Sequence, residues 1–401
     1  MKKKFTLCSL LFLVLFLIFG CSAAEKNSAG NSTAAPPAEA PWSAENGIRQ
    51  LADTLAGRMT VEEKIGQMMF VGIHGTTLTE NTKNVLAAMH AGGVILFDRN
   101  MENREQVKSL NAALQNLVLN SYRLPLFLSV DQEGGLVTRM KHAAYHAPSA
   151  TKISKGKPED AYMHAEKTGK DIKELGFNLD FAPVLDCSSR MDGRSYGTTP
   201  QQAAEFGEQA CRGLRDSGVL FTIKHFPGMG RSETDPHTEQ SVVNVPKEVI
   251  LQEDLLPFRR IIDQYPHYQF MVMAGHIRYP AFDSKPASLS PVILKQLLRE
   301  QLGYQGIIIT DDLDMAAVSE GYTPEEIGIA ALRAGTDILL SCHDPNVQQR
   351  IYKSVVQAVK NGVLDPQTVD ASVRRILYCK LKTLTDLSLR KQLYDQTVTG
   401  K

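Results

Sequence analysis

The chain has no surplus of charge: 44 Lys and Arg residues stand against 44 Asp and Glu in 401 residues. Nucleic-acid binding needs a basic footprint, so that class of partner is excluded. None of the six cysteines forms a Cys-x-x-Cys pair, so neither a zinc knuckle nor a redox dithiol is indicated. The first strand-like run leads into Val71-Gly72-Ile73-His74-Gly75, which lacks the Gly-x-Gly-x-x-Gly spacing of a dinucleotide cradle. An early strand also lacks the paired histidines that a metal-dependent barrel hydrolase would present. What is present is ordinary globular material, 43% hydrophobic and 22% charged. That is enough for a large core, and it excludes disorder or a multispanning membrane protein for the bulk of the chain.

The amino terminus reads differently. Lys2, Lys3 and Lys4 precede an apolar run over residues 5–20, shorter than the ~20 residues of a spanning helix, so residues 1–20 read as a signal peptide. The run ends Leu17-Ile18-Phe19-Gly20-Cys21, which resembles the lipobox of bacterial lipoproteins. That resemblance implies lipidation of Cys21 and an exported protein anchored to the membrane, facing outside the cytoplasm. Ordinary secretion with cleavage near Ala23 or Ala24 is the alternative. Residues 21–43 are rich in Ser, Ala, Asn, Gly and Pro without apolar period, the composition of a flexible tether. Cys187, Cys211, Cys342 and Cys379 remain in the globular part, where disulfides and buried thiols are both open.

Residues 44–401 alternate strand-like and helix-like stretches. Apolar runs occur at 68–73, 93–97, 124–130, 177–185, 219–223, 270–274, 306–309 and 338–341. Helical spacing fills the gaps, as at 106–119, 160–175, 200–217 and 249–264, with a terminal helix near 371–384. This order predicts parallel strands with helical crossovers, and eight repeats favour a single (β/α)8 TIM-like barrel over an open doubly wound sheet.

Catalytic groups of such barrels emerge at the carboxyl ends of the strands. Here five runs lead into charged or imidazole groups: Asp131-Gln132-Glu133, Asp186, Lys224-His225, His276 and Asp311-Asp312. One such group is usually a cap or a solvated charge, but five on one barrel face describe a polar pocket. After Lys224-His225 runs a Gly- and Pro-rich loop carrying Asp235 and His237. A carboxylate two residues from an imidazole can orient it as a general acid/base. Asp311, ending a wholly apolar strand, is the candidate nucleophile, with Asp312 its rival. Nucleophilic carboxylate plus acid/base is the logic of a retaining glycosidase, with a histidine replacing the usual second carboxylate.

At these residues the chain resembles glycoside hydrolase family 3, and within it the β-N-acetylglucosaminidases of the NagZ type, here in lipoprotein form. The family's D-Q-E-G-G-x-V-x-R matches residues 131–139, F-A-P-V-L-D matches 181–186, and R-S-[FY]-G matches 194–197. K-H-F-P-G-x-G matches 224–230, D-x-H matches Asp235 and His237, and [ST]-D-D-L-x-M matches 310–315. The resemblance spans residues 45–385. It implies a retaining exo-β-N-acetylglucosaminidase that acts on peptidoglycan fragments or related glycans through a covalent glycosyl-Asp311 intermediate. His237, oriented by Asp235, would be the acid/base. Asp131, Arg139, Arg194, Lys224, His225 and His276 would hold the N-acetylglucosamine or shape its pocket, with Glu133 and Asp186 buttressing them. No cofactor or metal is implied, and the chain is expected to act as a monomer. One departure stands out: the family's dyad loop commonly reads G-H-G-D-T, where this chain has Met229, Arg231 and Ser232, and Pro236 replaces Ser within D-S-H. Three alternatives stay open: phosphate as acceptor on the same site, a metal-dependent hydrolase built on His225, His237, His276 and Asp311, and a glycan-binding lipoprotein without catalysis.

Overall fold

A computed structural model of the chain describes residues 40–400 apart from 142, 233–240 and 320. The signal peptide, Cys21, nearly all of the tether and the Asp235–His237 pair therefore lie outside the described residues. Eight parallel strands form the centre: β1 (Met69–Gly72), β2 (Gly93–Ile95), β3 (Phe127–Val130), β4 (Leu179–Asp180), β5 (Leu220–Phe226), β6 (Phe270–Ala274), β7 (Ile307–Thr310) and β8 (Leu339–Ser341). They pair in chain order, with β8 returning to β1 through Met69 opposite Leu339 and Phe70 opposite Leu340. The eight apolar runs are these strands, and the barrel expectation holds.

Each strand is buried along its length because helices cover the outside of the ring, which is why the runs read as continuous apolar segments and not as alternation. The helices begin and end where local chemistry directs. Thr199 accepts the N–H of Gln202 and Pro200 opens the helix Pro200–Ser217, which Gly218 ends at a φ of 79°. The stretch 247–264 is broken where one helix was expected: a short turn Lys247–Val249, a π segment Ile250–Asp254, then Leu256–Gln264 with a proline in its first turn. The run 177–185 also pairs less than expected, since only Leu179–Asp180 joins the ladder. Pro183 has no N–H to donate, and beyond it only Val184 bridges to Lys224.

Aromatic rings fill the lumen. Phe70 on β1 meets Phe127 on β3 at 5.6 Å and Phe181 beyond β4 at 6.3 Å between centroids. Strands that are not neighbours in the ring can meet this way only across its interior. Gly93 makes the room, because a Cβ there would lie 2.5 Å from the Phe70 ring. Cys187, Cys211, Cys342 and Cys379 are free thiols, so the open pairing question resolves against disulfides among them.

The eighth joint of the ring, between β7 and β8, is bridged at Ile309 and Ile338, with main-chain bonds from the Ile338 N–H to Ile308, the Thr310 N–H to Ile338 and the Leu313 N–H to Leu340 at 3.0, 3.1 and 2.9 Å. Carboxylates stitch that joint at both ends. At the amino end, buried Asp337 accepts the Ile308 N–H at 2.8 Å and pairs with Arg299 and Arg375 at 2.5 and 2.8 Å. At the carboxyl end, Asp312 accepts the Cys342 N–H at 3.0 Å, and Asp314 accepts the His343 N–H and the Ser341 hydroxyl at 2.8 and 3.0 Å. Among the described residues, no helix is long and apolar enough to cross a membrane.

Candidate active site

The carboxyl ends of the strands surround a cleft of about 650 Å³, lined among others by Asp131, Glu133, Arg139, Arg194, Lys224, His225 and Asp311. Lys224 and His225 are adjacent in sequence, yet both reach it. The register of β5 slips between Ile223 and Phe226, and such a bulge re-aims side chains that a regular strand would send to opposite faces.

On one side lies a balanced set of two cations and two anions. Lys224, whose side chain is only 3% exposed, places Nζ 2.8 Å from Asp131 and 2.6 Å from Glu133. Arg194 donates to both Glu133 oxygens at 2.8 Å, the bidentate fork that fixes both groups. Burial alone would raise the Glu133 pKa, but Lys224 and Arg194 overcome it and hold the carboxyl well below the usual range. Burial likewise pulls the Lys224 pKa down, and Asp131 and Glu133 more than reverse it. Four charges removed from water are tolerable only because each has a partner. Behind them, fully buried Asp180 takes the Gln132 N–H at 2.9 Å with one oxygen, while the other has no partner. Burial pushes its pKa up to about 7, even though that N–H and Lys224 pull it down.

Asp311 sits at the end of β7 with its side chain one-fifth exposed. Its main-chain N–H donates to Ala274 at 2.9 Å, and its Oδ1 accepts the Asp312 N–H at 2.8 Å. Burial raises its pKa, but the fields of His225 and His276 and that N–H bring it below the usual carboxylate value. His225 approaches from β5, with Nε2 3.9 Å from Asp311 Oδ2. Its Nδ1 donates to Asp186 at 2.7 Å, and Asp186 also accepts the main-chain N–H groups of His225 and Met229 at 3.0 and 2.7 Å. Asp186 is thus a fully buried brace for the ring and for the start of the following loop.

His276 stands elsewhere than the other expected contacts. Both ring nitrogens are taken inside the protein, Nδ1 by the Ser288 hydroxyl at 2.8 Å and Nε2 by the Asp312 carbonyl at 2.9 Å. Burial lowers its pKa, consistent with a neutral ring that donates from Nε2. It lies behind the Asp311–Asp312 peptide, where it shapes the pocket without presenting a free nitrogen to a sugar hydroxyl. Asp312, the rival nucleophile, is spent on the β7–β8 joint, with one oxygen on the Cys342 N–H and the other 3.2 Å from His343 Nε2. Among the described residues, no three His, Cys, Asp or Glu side chains gather as metal ligands, and the nitrogens of His276 are already committed.

The cleft also holds Arg99 and His343, which the five strand ends above leave out, and Phe97, the last residue of the second apolar run. The strand-end rule reaches both charged groups, since Asp98-Arg99 follows the second apolar run and His343 the eighth.

Comparison with known proteins gives one consistent result. The family model described as "Glycosyl hydrolase family 3 N terminal domain" matches residues 60–379. "Beta-hexosaminidase A" of Pseudoalteromonas piscicida is 34% identical over 337 residues, a match covering 77% of this chain and 56% of that protein, so the chain spans just over half of that relative's length. A "Beta-hexosaminidase" of Idiomarina loihiensis is 32% identical, covering 82% of this chain and 98% of its own length. A solved glycoside hydrolase family 3 β-N-acetylglucosaminidase from Paenibacillus sp. superposes with a TM-score of 0.77 at 33% identity, over 84% of this chain and 68% of that one.

Proposed function

The chain belongs to glycosyl hydrolase family 3, and from that premise we propose that it is a retaining exo-β-N-acetylglucosaminidase acting on peptidoglycan fragments or related glycans. The observation that carries the reading is Asp311: an ionised carboxylate at the cleft floor, fixed by the Asp312 N–H and faced by His225. Its free oxygen attacks the anomeric carbon, and the bond to the leaving oxygen breaks as the glycosyl-Asp311 ester forms. Water then attacks the same carbon and returns the carboxylate.

The leaving oxygen needs a proton, and the buried acids of the cleft are poor sources. Glu133 is held ionised by Lys224 and Arg194, and Asp131 pairs with Lys224. His237, with Asp235 two residues before it, supplies the acid in this reading, and the same imidazole then takes the proton of the incoming water. Asp131, Glu133, Lys224 and Arg194 form the preorganised polar wall on which sugar hydroxyls bind, while Asp186 and His276 hold its supports in place. The relatives' names support the substrate class. Delivery to the cell envelope rests on Cys21, which in this reading carries the lipid that anchors the chain outside the cytoplasm.

Product analysis on an N-acetylglucosaminyl-muramic acid disaccharide, with and without phosphate, tests the reaction. Free N-acetylglucosamine of retained configuration in both conditions is expected. The sugar 1-phosphate would instead make the enzyme a phosphorylase, and no release would leave only a glycan-binding protein.

A further inference from the structure

One wall of the cleft carries two guanidinium groups, neither of which has a carboxylate at hydrogen-bond distance. Arg99, after β2, donates from Nη2 to the Cys342 carbonyl at 2.7 Å and from Nε to the Ile73 carbonyl at 3.4 Å. Its Nη1 lies 3.1 Å from His343 Nδ1. Two of these partners are neutral carbonyls and the third is the His343 ring, and among the described residues Arg99 makes no ion pair. Arg139 is similar: its nearest carboxylate oxygen, on Asp131, is 3.7 Å away, and its Nε is buried with no hydrogen-bond partner. Both guanidinium groups rest on Phe97, at 4.6 and 5.3 Å from the ring centroid, and the His343 ring lies 5.3 Å from the same centroid.

The neighbouring carboxylates are already engaged. Asp131 pairs with Lys224, Asp312 with the Cys342 N–H and His343, and Asp314 with the His343 N–H and Ser341. Asp98 is exposed, with Lys141 as its nearest cation at 3.9 Å. Phe97, Arg99 and His343 follow β2 and β8, whereas the buried wall of Asp131, Arg194 and Lys224 is built from β5 and the segments after β3 and β4. If that buried wall grips the N-acetylglucosamine, the arginine wall faces what leaves.

We propose that Arg99, steered by His343 and backed by Arg139, binds a carboxylate on the leaving group and so sets the enzyme's preference for acidic aglycones. This rests on the glycosidase reading above. Arg99 supplies the charge and the planar fork, His343 accepts from Nη1 and fixes the fork's direction, and Phe97 is the platform beneath.

The test compares kcat/KM on two disaccharides that share a β-linked N-acetylglucosaminyl group. One has muramic acid, with its ether-linked carboxylate, as the leaving sugar; the other has neutral N-acetylglucosamine. Wild type should favour the acidic substrate, with the preference shrinking at 1 M salt as the charge is screened, to a Debye length of about 3 Å. Arg99→Met should lose about tenfold on the acidic substrate and little on the neutral one, the usual scale for one charge-assisted contact. His343→Ala should reduce the same ratio by about threefold. It spares the carbonyl contacts of Arg99, so it reads the proposal even if Arg99→Met folds poorly. Equal losses on both substrates, or no wild-type preference, would overturn the proposal. Acceleration by millimolar inorganic phosphate that disappears in Arg99→Met would also overturn it, by making the anion an acceptor. Absence of turnover on both substrates and on an aryl N-acetylglucosaminide would overturn the glycosidase reading itself.

Discussion

Asp186 holds the His225 ring by Nδ1 at 2.7 Å. The fixed ring then turns its other nitrogen toward Asp311, 3.9 Å away, so the candidate nucleophile faces a braced imidazole across the cleft. A hydrogen-bonded partner of this kind sets both tautomer and direction. Asp311 is thereby confined from two sides, by the Asp312 N–H on one oxygen and by His225 on the other.

Asp311→Asn should therefore remove turnover by on the order of 10⁴–10⁶-fold, the scale seen when a hydrolase loses its nucleophile. Asp312→Asn keeps the main-chain N–H to Asp311 and should cost far less. Trapping with a slow fluorosugar followed by peptide mass spectrometry should place the label on Asp311; a label on Asp312 or Glu133 would refute the assignment.

His237→Ala should slow natural sugar leaving groups far more than activated aryl ones. A poor leaving group needs the proton in the transition state and a nitrophenolate scarcely does, so the gap should approach roughly 10²–10⁴-fold. Asp235→Asn should move in the same direction. Equal losses on both kinds of substrate would show that His237 is structural or binds substrate only.

Asp180 should give the fold a pH dependence of definite sign. Its folded pKa of about 7 lies above the 3.8 of a free carboxyl, so the native state binds that proton more tightly than the unfolded chain does. The resulting stability is fully present below about pH 4 and is lost as pH rises through about 7. Asp180→Asn keeps an acceptor for the Gln132 N–H without the charge. It should be more stable than wild type at pH 8, on the order of a few kcal/mol, with the advantage shrinking toward pH 4. Urea midpoints at pH 4.5, 6 and 8 decide it; a variant less stable by a constant amount would contradict the account.

Cys21→Ser should release the protein from the membrane fraction, or leave the precursor uncleaved, with unchanged activity of the globular part. Fractionation followed by N-terminal analysis reads this directly. A correctly cleaved Cys21→Ser chain that still sediments with membranes would exclude lipid anchoring at that residue.

Much of the fold was legible because parallel strands covered on both faces must be apolar throughout, so each appears as a block. The fourth block misled in extent because Pro183 silences a ladder position that hydrophobicity alone cannot register. The candidate site was legible as charges at strand ends, a pattern that brought Asp131, Lys224, His225 and Asp311 into one cleft. Which of those charges face outward was not legible. His276 is turned inward by a hydroxyl twelve residues later and by a carbonyl from another strand, partners that only the closed ring brings together. Arg99 and His343 follow the same strand-end rule, but their meeting depends on β8 closing beside β1 and β2, a long-range contact that no local window contains.

The joint between β7 and β8 ties catalysis to durability. Main-chain bonds at Ile308, Thr310 and Leu313 hold this seam, and Asp337 at one end with Asp312 and Asp314 at the other add side-chain ties to it. Asp312 both ties the seam and supplies the N–H that fixes Asp311, so any local opening at this end of the ring would displace the candidate nucleophile. A change confined to that end would reach the candidate nucleophile while leaving most of the secondary structure in place. An engineer who alters this seam for stability would be altering the support of Asp311 as well.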